Sequence, residues 1–249
     1  MTDDMLLRIR GLKIDGRTGD TWQPILKGID LDLKRGEVLG LIGESGAGKS
    51  TLGLAAMGFV RDGCRFSGGT VEFEGREISR ASRTERRALR SSEIAYVAQS
   101  AAASFNPAHR LVDQYAEFPV LRGRMTYEEA RADAAKMYER LQLPDPGEIG
   151  FRYPHQVSGG QLQRAMTAMA MACRPKLLIA DEPTTALDVT IQAGILDLIR
   201  DLQQETGMSV MFITHDMGVV AEISDRVVVM LKGDKVEEGT AQEVFARPR

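Results

Sequence analysis

The sequence predicts an α/β domain with a mainly parallel sheet, an N-terminal antiparallel β-subdomain and an inserted helical subdomain. Three observations predict it. Short runs at 38–42, 177–180, 210–213 and 227–231 are almost wholly apolar, as strands covered on both faces are. Helical patterns at 49–59, 162–172 and 189–202 lie among them, and alternating strands and helices build a layered sheet. The first buried run leads directly into a glycine-rich loop and then a helix.

Taken in order, Leu6–Ile14 alternates loosely, Ile25, Ile29, Leu31 and Leu33 follow, and Val71-Glu72-Phe73 adds a third piece. Such alternation marks half-buried antiparallel strands. Glycine-rich turns are expected between them, at Gly16–Gly19 and at Gly68-Gly69. The stretch Arg76–Arg90 contains Arg80, Arg83, Arg86, Arg87 and Arg90 and reads as a solvated helix face, with an interaction surface as the alternative. A strand is expected at Ile94–Val97. From about 100 to 175 there are helical segments and no clear strand, which reads as the inserted helical subdomain of a single domain spanning 1–249. One helix there is well marked. Thr126 and Glu129 form a capping box, Ala130, Ala134, Met137 and Leu141 line one face, and Pro144 ends it. A later helix stops before Pro175, which cannot continue it.

A length of 249 residues suits one sizeable α/β domain with an attached lobe. With 43% hydrophobic and 27% charged residues, the composition is that of a soluble globular protein. The net charge of -3 argues against a general nucleic-acid binder, whose footprint is basic. No run reaches the ~18 apolar residues of a membrane span, and Met1-Thr2-Asp3-Asp4 is acidic, unlike a secretory signal. Cys64 and Cys173 are too few for a disulfide framework or a four-thiolate metal site. These features together read as a soluble cytoplasmic chain.

Gly43-Glu44-Ser45-Gly46-Ala47-Gly48-Lys49-Ser50, followed by Thr51, matches the phosphate-binding P-loop in the strand–loop–helix context the motif requires. Its glycines let backbone N–H groups turn inward around phosphate oxygens without a Cβ clash. The helix N-terminus near Gly48 adds its positive dipole end. Lys49 brings a point charge to the outer phosphates, and the Ser50 hydroxyl can bind Mg2+. Leu177–Ala180 is a second buried run, and it ends in Asp181-Glu182. Asp181 is placed to hold the Mg2+ shell, and Glu182 to orient or deprotonate a water attacking the γ-phosphate. The motif set therefore implies ATP and Mg2+.

Ser158-Gly159-Gly160-Gln161 starts another helix, with Ser158 as N-cap and Gln161 in the capping-box position. Two glycines there leave backbone donors bare, which suits an anion. Between a P-loop and an Asp-Glu strand, this tetrapeptide resembles the signature motif of ABC ATPases, with Val157 where Leu is usual. Gln99 resembles the Q-loop glutamine of that family, Thr185-Ala186-Leu187-Asp188 its D-loop and His215 its switch histidine.

The resemblance covers essentially the whole chain and implies a P-loop ATPase core. Each ATP would lie between the loop Gly43–Thr51 of one copy and Ser158, Gly159, Gly160, Gln161 and Asp188 of another. Lys49 and Ser50 would hold phosphates and Mg2+, Glu182 would polarise the water, and His215 would stabilise the γ-phosphate. Gln99 would join the catalytic set and the Mg2+ ligands beside Ser50 and Asp181, and report nucleotide state to the helical lobe. A homodimer or heterodimer of ATPase domains is implied. Relatives stack adenine on an aromatic in the first strands. That place falls near Gly16, and Trp22 nearby either substitutes or packs on the β-subdomain.

Finer wording resembles the peptide-importer branch (dipeptide, oligopeptide and nickel systems): Phe105-Asn106-Pro107, Tyr153-Pro154-His155-Gln156, the run Asp181–Thr190, Gly239-Thr240 and Glu243-Val244-Phe245. Ser100-Ala101-Ala102-Ala103 departs from the usual Asp-Pro-containing stretch. Relatives run on past this point, whereas this chain stops at Arg249, which the resemblance reads as a truncated piece, such as the first half of a fused double ATPase. The implied partners are integral membrane permease subunits, touched near Gln99 and Phe105, and indirectly a periplasmic or extracellular solute-binding protein. The implied place is the cytoplasmic face of the membrane, held peripherally. The alternative is a soluble ABC ATPase acting on DNA or the ribosome, or a catalytically idle partner. No coiled coil, zinc module or basic linker of such proteins is present, and Glu182 speaks against idleness.

Overall fold

The computed structural model describes residues 4–90, 92–184 and 189–246. The elements run β1 (Met5–Thr18), β2 (Thr21–Lys34), β3 (Val38–Gly43), α1 (Lys49–Ala56), β4 (Cys64–Phe73), β5 (Arg76–Glu77) and α2 (Arg83–Arg90). Next come β6 (Ile94–Val97), α3 (Ala101–Ser104), α4 (Leu111–Leu121), α5 (Tyr127–Arg140), α6 (Gly159–Met171), β7 (Leu177–Asp181) and α7 (Val189–Thr206). The chain closes with β8 (Ser209–Ile213), α8 (Met217–Ile223), β9 (Arg226–Leu231), β10 (Asp234–Thr240) and α9 (Ala241–Ala246). Two units result: Met1–Arg90 with Gly207–Arg249, and Ser91–Thr206.

In the first unit, β1 pairs antiparallel with β2 and β4, giving the order β2-β1-β4-β5. Leu7 faces Leu33, Ile9 faces Leu31 and Leu12 faces Ile29 across the hairpin, all six buried, so alternation supplies one apolar face. The turns differ from those the sequence predicts. Thr18 pairs with Thr21 and Phe73 with Arg76, so the chain reverses at Gly19-Asp20 and at Glu74-Gly75. Gly68-Gly69 lies inside β4. Its glycine serves close approach: a Cβ on Gly69 would sit 2.4 Å from the Gly11 carbonyl oxygen and 2.5 Å from that of Arg10, where β1 breaks register between Arg10 and Lys13. Trp22 pairs with Arg17 on β1 and carries the Arg65 guanidinium 4.1 Å from its ring centroid. A Cβ on Gly16 would meet Ile25 Cδ1 at 2.7 Å.

The same unit holds β3, parallel to both β8 and β9, with β10 antiparallel on β9. All of β8 and all of β3 up to Gly43 are buried, as their apolar runs predict. Leu231 is 40% exposed, because it opens the Lys232-Gly233 turn into β10. Helix α2 buries no residue, which is the solvated reading of the arginine stretch. It touches the body through half-buried side chains: Arg86 donates to the Gly58 carbonyl at 3.2 Å, and the Arg90 guanidinium lies 5.3 Å from the Phe59 ring. Desolvation, with repulsion from Arg86, Arg83 and Arg87, lowers the Arg90 pKa.

In the second unit, β6 and β7 run parallel, Ile94 beside Leu177 through Val97 beside Ala180. Helices α3 to α6 fill 101–171. The α5 capping box forms as its sequence predicts: Glu129 N–H donates to Thr126 Oγ1 at 3.2 Å and Thr126 N–H to Glu129 Oε2 at 2.7 Å. Ala130, Ala134, Met137 and Leu141 are buried. Phe105, expected at an external contact, is 6% exposed, so its ring belongs to the interior. Helices α4, α5 and the end of α6 are tied by polar groups. Tyr115 Oη donates to Asp133 Oδ2, and Arg174 Nη2 donates to Asp133 Oδ1 at 2.6 Å.

Burial, and then the bond to Asp133, push the Tyr115 phenol well above its ordinary value. A folded pKa raised above the unfolded one means the stabilisation is complete below about pH 10 and fades as pH rises toward the folded value. Tyr138, whose ring stands edge-on to Tyr115 at 6.2 Å, is raised by burial in the same direction. Tyr115→Phe is expected to cost about 1 kcal/mol near neutrality, one hydrogen bond. It should also flatten the alkaline loss of stability by one proton, about 1.4 kcal/mol per pH unit. Denaturant unfolding near neutrality and above about pH 10 measures both.

Candidate functional site

In the first unit, β3 ends at Gly43 and α1 starts at Lys49, so the P-loop spans a strand end and a helix start. Gly43 has φ +148°, and a Cβ there would lie 2.1 Å from the Met230 carbonyl oxygen of β9. Only glycine lets β9 pass this close. Gly48 is the N-cap of α1 in the left-handed region, with no side-chain cap, so the helix start is left to backbone N–H groups. The bend is closed by Ala47 N–H donating to the Glu44 carbonyl and Gly233 N–H to that of Ala47, each at 3.1 Å. Glu44, Ser45 and Gly46 are exposed at the crown, while Ser50 and Thr51 are half-buried. Lys49 is only 6% exposed; its ammonium donates to the carbonyls of Gly43 at 2.6 Å and Glu44 at 2.9 Å.

His215 lies two residues past β8, which runs parallel to β3 from Val38 beside Val210 to Leu41 beside Ile213. It therefore leaves the sheet at the same edge as the P-loop. The histidine is exposed and held in a short connection. Asp216 N–H donates to Thr214 Oγ1 at 3.0 Å, and Asp216 caps α8 by accepting from Gly218 and Val219 N–H at 2.9 and 3.2 Å.

In the second unit, Gln99 and Glu182 leave the carboxyl ends of the parallel pair β6 and β7. Gln99 Nε2 donates to Glu182 Oε2 at 2.8 Å. Glu182 has φ +50°, a conformation that strains a residue with a Cβ and persists only where the surroundings impose it. Asp181 is 3% exposed and accepts from Tyr96 Oη at 2.6 Å. Gln163, 6% exposed on α6, donates to the Pro183 carbonyl at 3.0 Å and the Ala98 carbonyl at 3.4 Å. Neither Tyr96 nor Gln163 is singled out by the sequence reading. The available signal for Gln163 is an amide one turn before Met166 and Thr167, on a face of the helix that is buried.

Ser158 caps α6 as its sequence predicts: Gln161 N–H donates to Ser158 Oγ at 3.3 Å and Ser158 N–H to Gln161 Oε1 at 2.9 Å. Gly159 in the first turn is not required by the fold, because a Cβ there would meet nothing within 4 Å and its φ is not positive. Asp188, with Thr185, Ala186 and Leu187, lies outside the described residues.

Residues 26–185 match the family described as ABC transporter. The chain belongs to the ABC transporter family. Among its relatives in that family, the glutathione import ATP-binding protein GsiA of Salmonella choleraesuis is 45% identical over 98% of this chain. The chain spans 40% of that protein's length. The "Probable peptide ABC transporter ATP-binding protein y4tR" of Sinorhizobium fredii is 44% identical over 98% of the chain and 73% of its own length. A solved dimer of the ATP-binding cassette MJ0796, in a post-hydrolysis state with ADP and Pi, superposes with a TM-score of 0.87. It is 26% identical, over 95% of this chain and 99% of its own. The cbiO1 subunit of Clostridium perfringens, part of the transporter complex cbiONQ, has a TM-score of 0.80 and 29% identity over 98% of this chain and 92% of its own. The α/β cassette fold is thus shared along almost the whole chain.

The two glycines lead to opposite expectations. Gly43→Ala should lower stability by at least about 2 kcal/mol, through strained φ and displacement of the Met230 carbonyl. Gly159→Ala should leave stability unchanged or raise it by about 0.5–1 kcal/mol, as alanine is the better helix former. Thermal unfolding of the two variants checks the contrast.

Proposed function

We propose that this chain is the ATP-binding and ATP-hydrolysing subunit that powers an ABC importer for peptides or related small solutes. The observation that carries this reading is the identity of 45% and 44% over 98% of the chain with proteins named for glutathione import and peptide transport. Residues 1–249 would act as one nucleotide-binding domain, with the helical stretch at about 100–175 as its subdomain.

The loop Gly43, Glu44, Ser45, Gly46, Ala47, Gly48, Lys49, Ser50 and Thr51 binds the phosphates in this reading. Its backbone N–H groups and the start of α1 supply partial positive charge, and Lys49, fixed against two loop carbonyls, supplies a full one. Ser50, Asp181 and Gln99 offer a hydroxyl, a carboxylate and an amide oxygen, a hard-oxygen set that fits Mg2+. No cluster of three or more His, Cys, Asp or Glu that could cage a metal occurs among the described residues. That suits an ion held by one or two carboxylates together with substrate phosphates. When bound, Mg2+ supplies neutralisation of charge developing on the phosphates. Tyr96 orients Asp181 through its hydroxyl. Glu182, held by Gln99, orients or deprotonates the attacking water, and His215 steadies the γ-phosphate.

One chain carries one P-loop and one signature segment. Ser158, Gly159, Gly160, Gln161 and Asp188 would therefore serve a nucleotide bound by a second ATPase domain, in a homodimer or heterodimer. Gly159, which the fold leaves free to carry a side chain, supports this role, since a bare first turn admits close approach of an anion. The remaining partners are integral membrane permease subunits, with a solute-binding protein acting through them and no nucleic acid. The chain would sit peripherally on the cytoplasmic face of the membrane. Among the described residues, no helix is long and apolar enough to cross one.

Glu182→Gln is expected to keep ATP binding and lower turnover by about 10²–10⁴-fold, the usual contribution of a general base. Lys49→Ala should abolish nucleotide binding. Turnover assays and nucleotide titrations check both. Capture of Glu182→Gln with ATP from detergent-solubilised cells should bring down multi-spanning membrane proteins, whereas ribosomes or DNA-repair proteins would overturn the import reading.

A further inference from the structure

The two hydrogen bonds of Gln163 close a ring of chain segments around the Gln99–Glu182 pair. Ala98, whose carbonyl it reaches at 3.4 Å, immediately precedes Gln99. Pro183, whose carbonyl it reaches at 3.0 Å, immediately follows Glu182. The pair itself is closed by the 2.8 Å bond from Gln99 Nε2 to Glu182 Oε2. Gln163 stands two residues beyond Gln161, so the same amide joins both segments to the helix that starts at the signature motif.

Three features argue that this amide is more than packing. A buried carboxamide is tolerated only with its hydrogen bonds made, and while the buried Thr167 hydroxyl one turn on is satisfied within its own helix by the Gln163 carbonyl, the Gln163 amide reaches out to two other segments. Glu182 is held at φ +50°, and a strained residue needs restraint from its surroundings. The restraint falls one residue further on, at the Pro183 carbonyl.

We propose that Gln163 is a positioning residue, which keeps Glu182 and Gln99 in mutual register and passes displacement of the signature helix directly to them. Binding of a nucleotide against Ser158–Gln161 would then move the carboxylate that activates water. The inference rests on the role of Glu182 given above.

Gln163→Met conserves length and approximate volume and removes both donated bonds. Turnover should fall by about 10–100-fold, the scale on which loss of an outer orienting partner acts, with KM for ATP unchanged within about twofold. In the double variant Gln163→Met/Glu182→Gln, turnover should match that of Glu182→Gln alone, because residues acting as a unit are not additive. A packing defect would instead multiply the two losses and lower thermal stability in step.

Should Gln163→Met not fold, Gln163→Glu replaces it. It keeps the shape, loses the donor while ionised, and should regain turnover relative to the unsubstituted chain as acidification restores an O–H donor. Unchanged turnover in Gln163→Met, multiplied losses in the double variant, or no recovery on acidification overturns the proposal while Glu182 stands. Unchanged turnover in Glu182→Gln overturns both.

Discussion

Parallel pairing is the constraint on which the rest depends. In a parallel pair every strand ends at the same edge, so the loops that follow neighbouring strands emerge side by side. The register of β3 with β8 brings Gly43 and His215 out at one edge of the first unit. The register of β6 with β7 does the same for Gln99 and Glu182 in the second. Slipping either pair by one residue would exchange the side chains that the two covered faces receive and break the packing on both. Burial on both faces therefore fixes the position of groups that make no contribution to the core.

Around those edges the chain stores conformational cost and satisfies buried polar atoms by specific means. Glu182 carries left-handed strain worth ~1–3 kcal/mol, and Gly43 accepts a backbone contact that no other residue admits. Lys49 is withdrawn from solvent yet bonded to two carbonyls, and Asp181 has a tyrosine hydroxyl. Local rules of stability are broken at the residues to which chemistry is proposed, and neighbouring elements hold the exceptions in place.

Much of this was legible in the sequence because the governing rules are local. A capping box is decided within four residues, so Thr126 with Glu129 and Ser158 with Gln161 were readable and form as read. Apolar runs located β3, β7 and β8, and the P-loop announced itself by spacing. What stayed hidden depends on distant chain. Tyr96 meets Asp181 from 85 residues away, and Gln163 meets Ala98 across 65, distances at which no periodicity speaks. Glycines mislead for a related reason: Gly68-Gly69 looks like a turn, and only the backbone of Arg10 and Gly11 opposite shows that it serves close approach. Trp22 was open between two readings, and its ring is covered on one side by Arg65.

Gly43 and Gly159 differ in who enforces them. The first is required by the chain's own path past Met230, so any descendant that folds must keep it. The second is free to become alanine as far as folding is concerned, so what would keep it glycine is the proposed approach of a nucleotide to the exposed helix start. In a lineage where the proposed use of that helix start had lapsed, Gly159 would be free to change while Gly43 endured. The pair is thus a record, written in two letters, of whether such a cassette still works for its living.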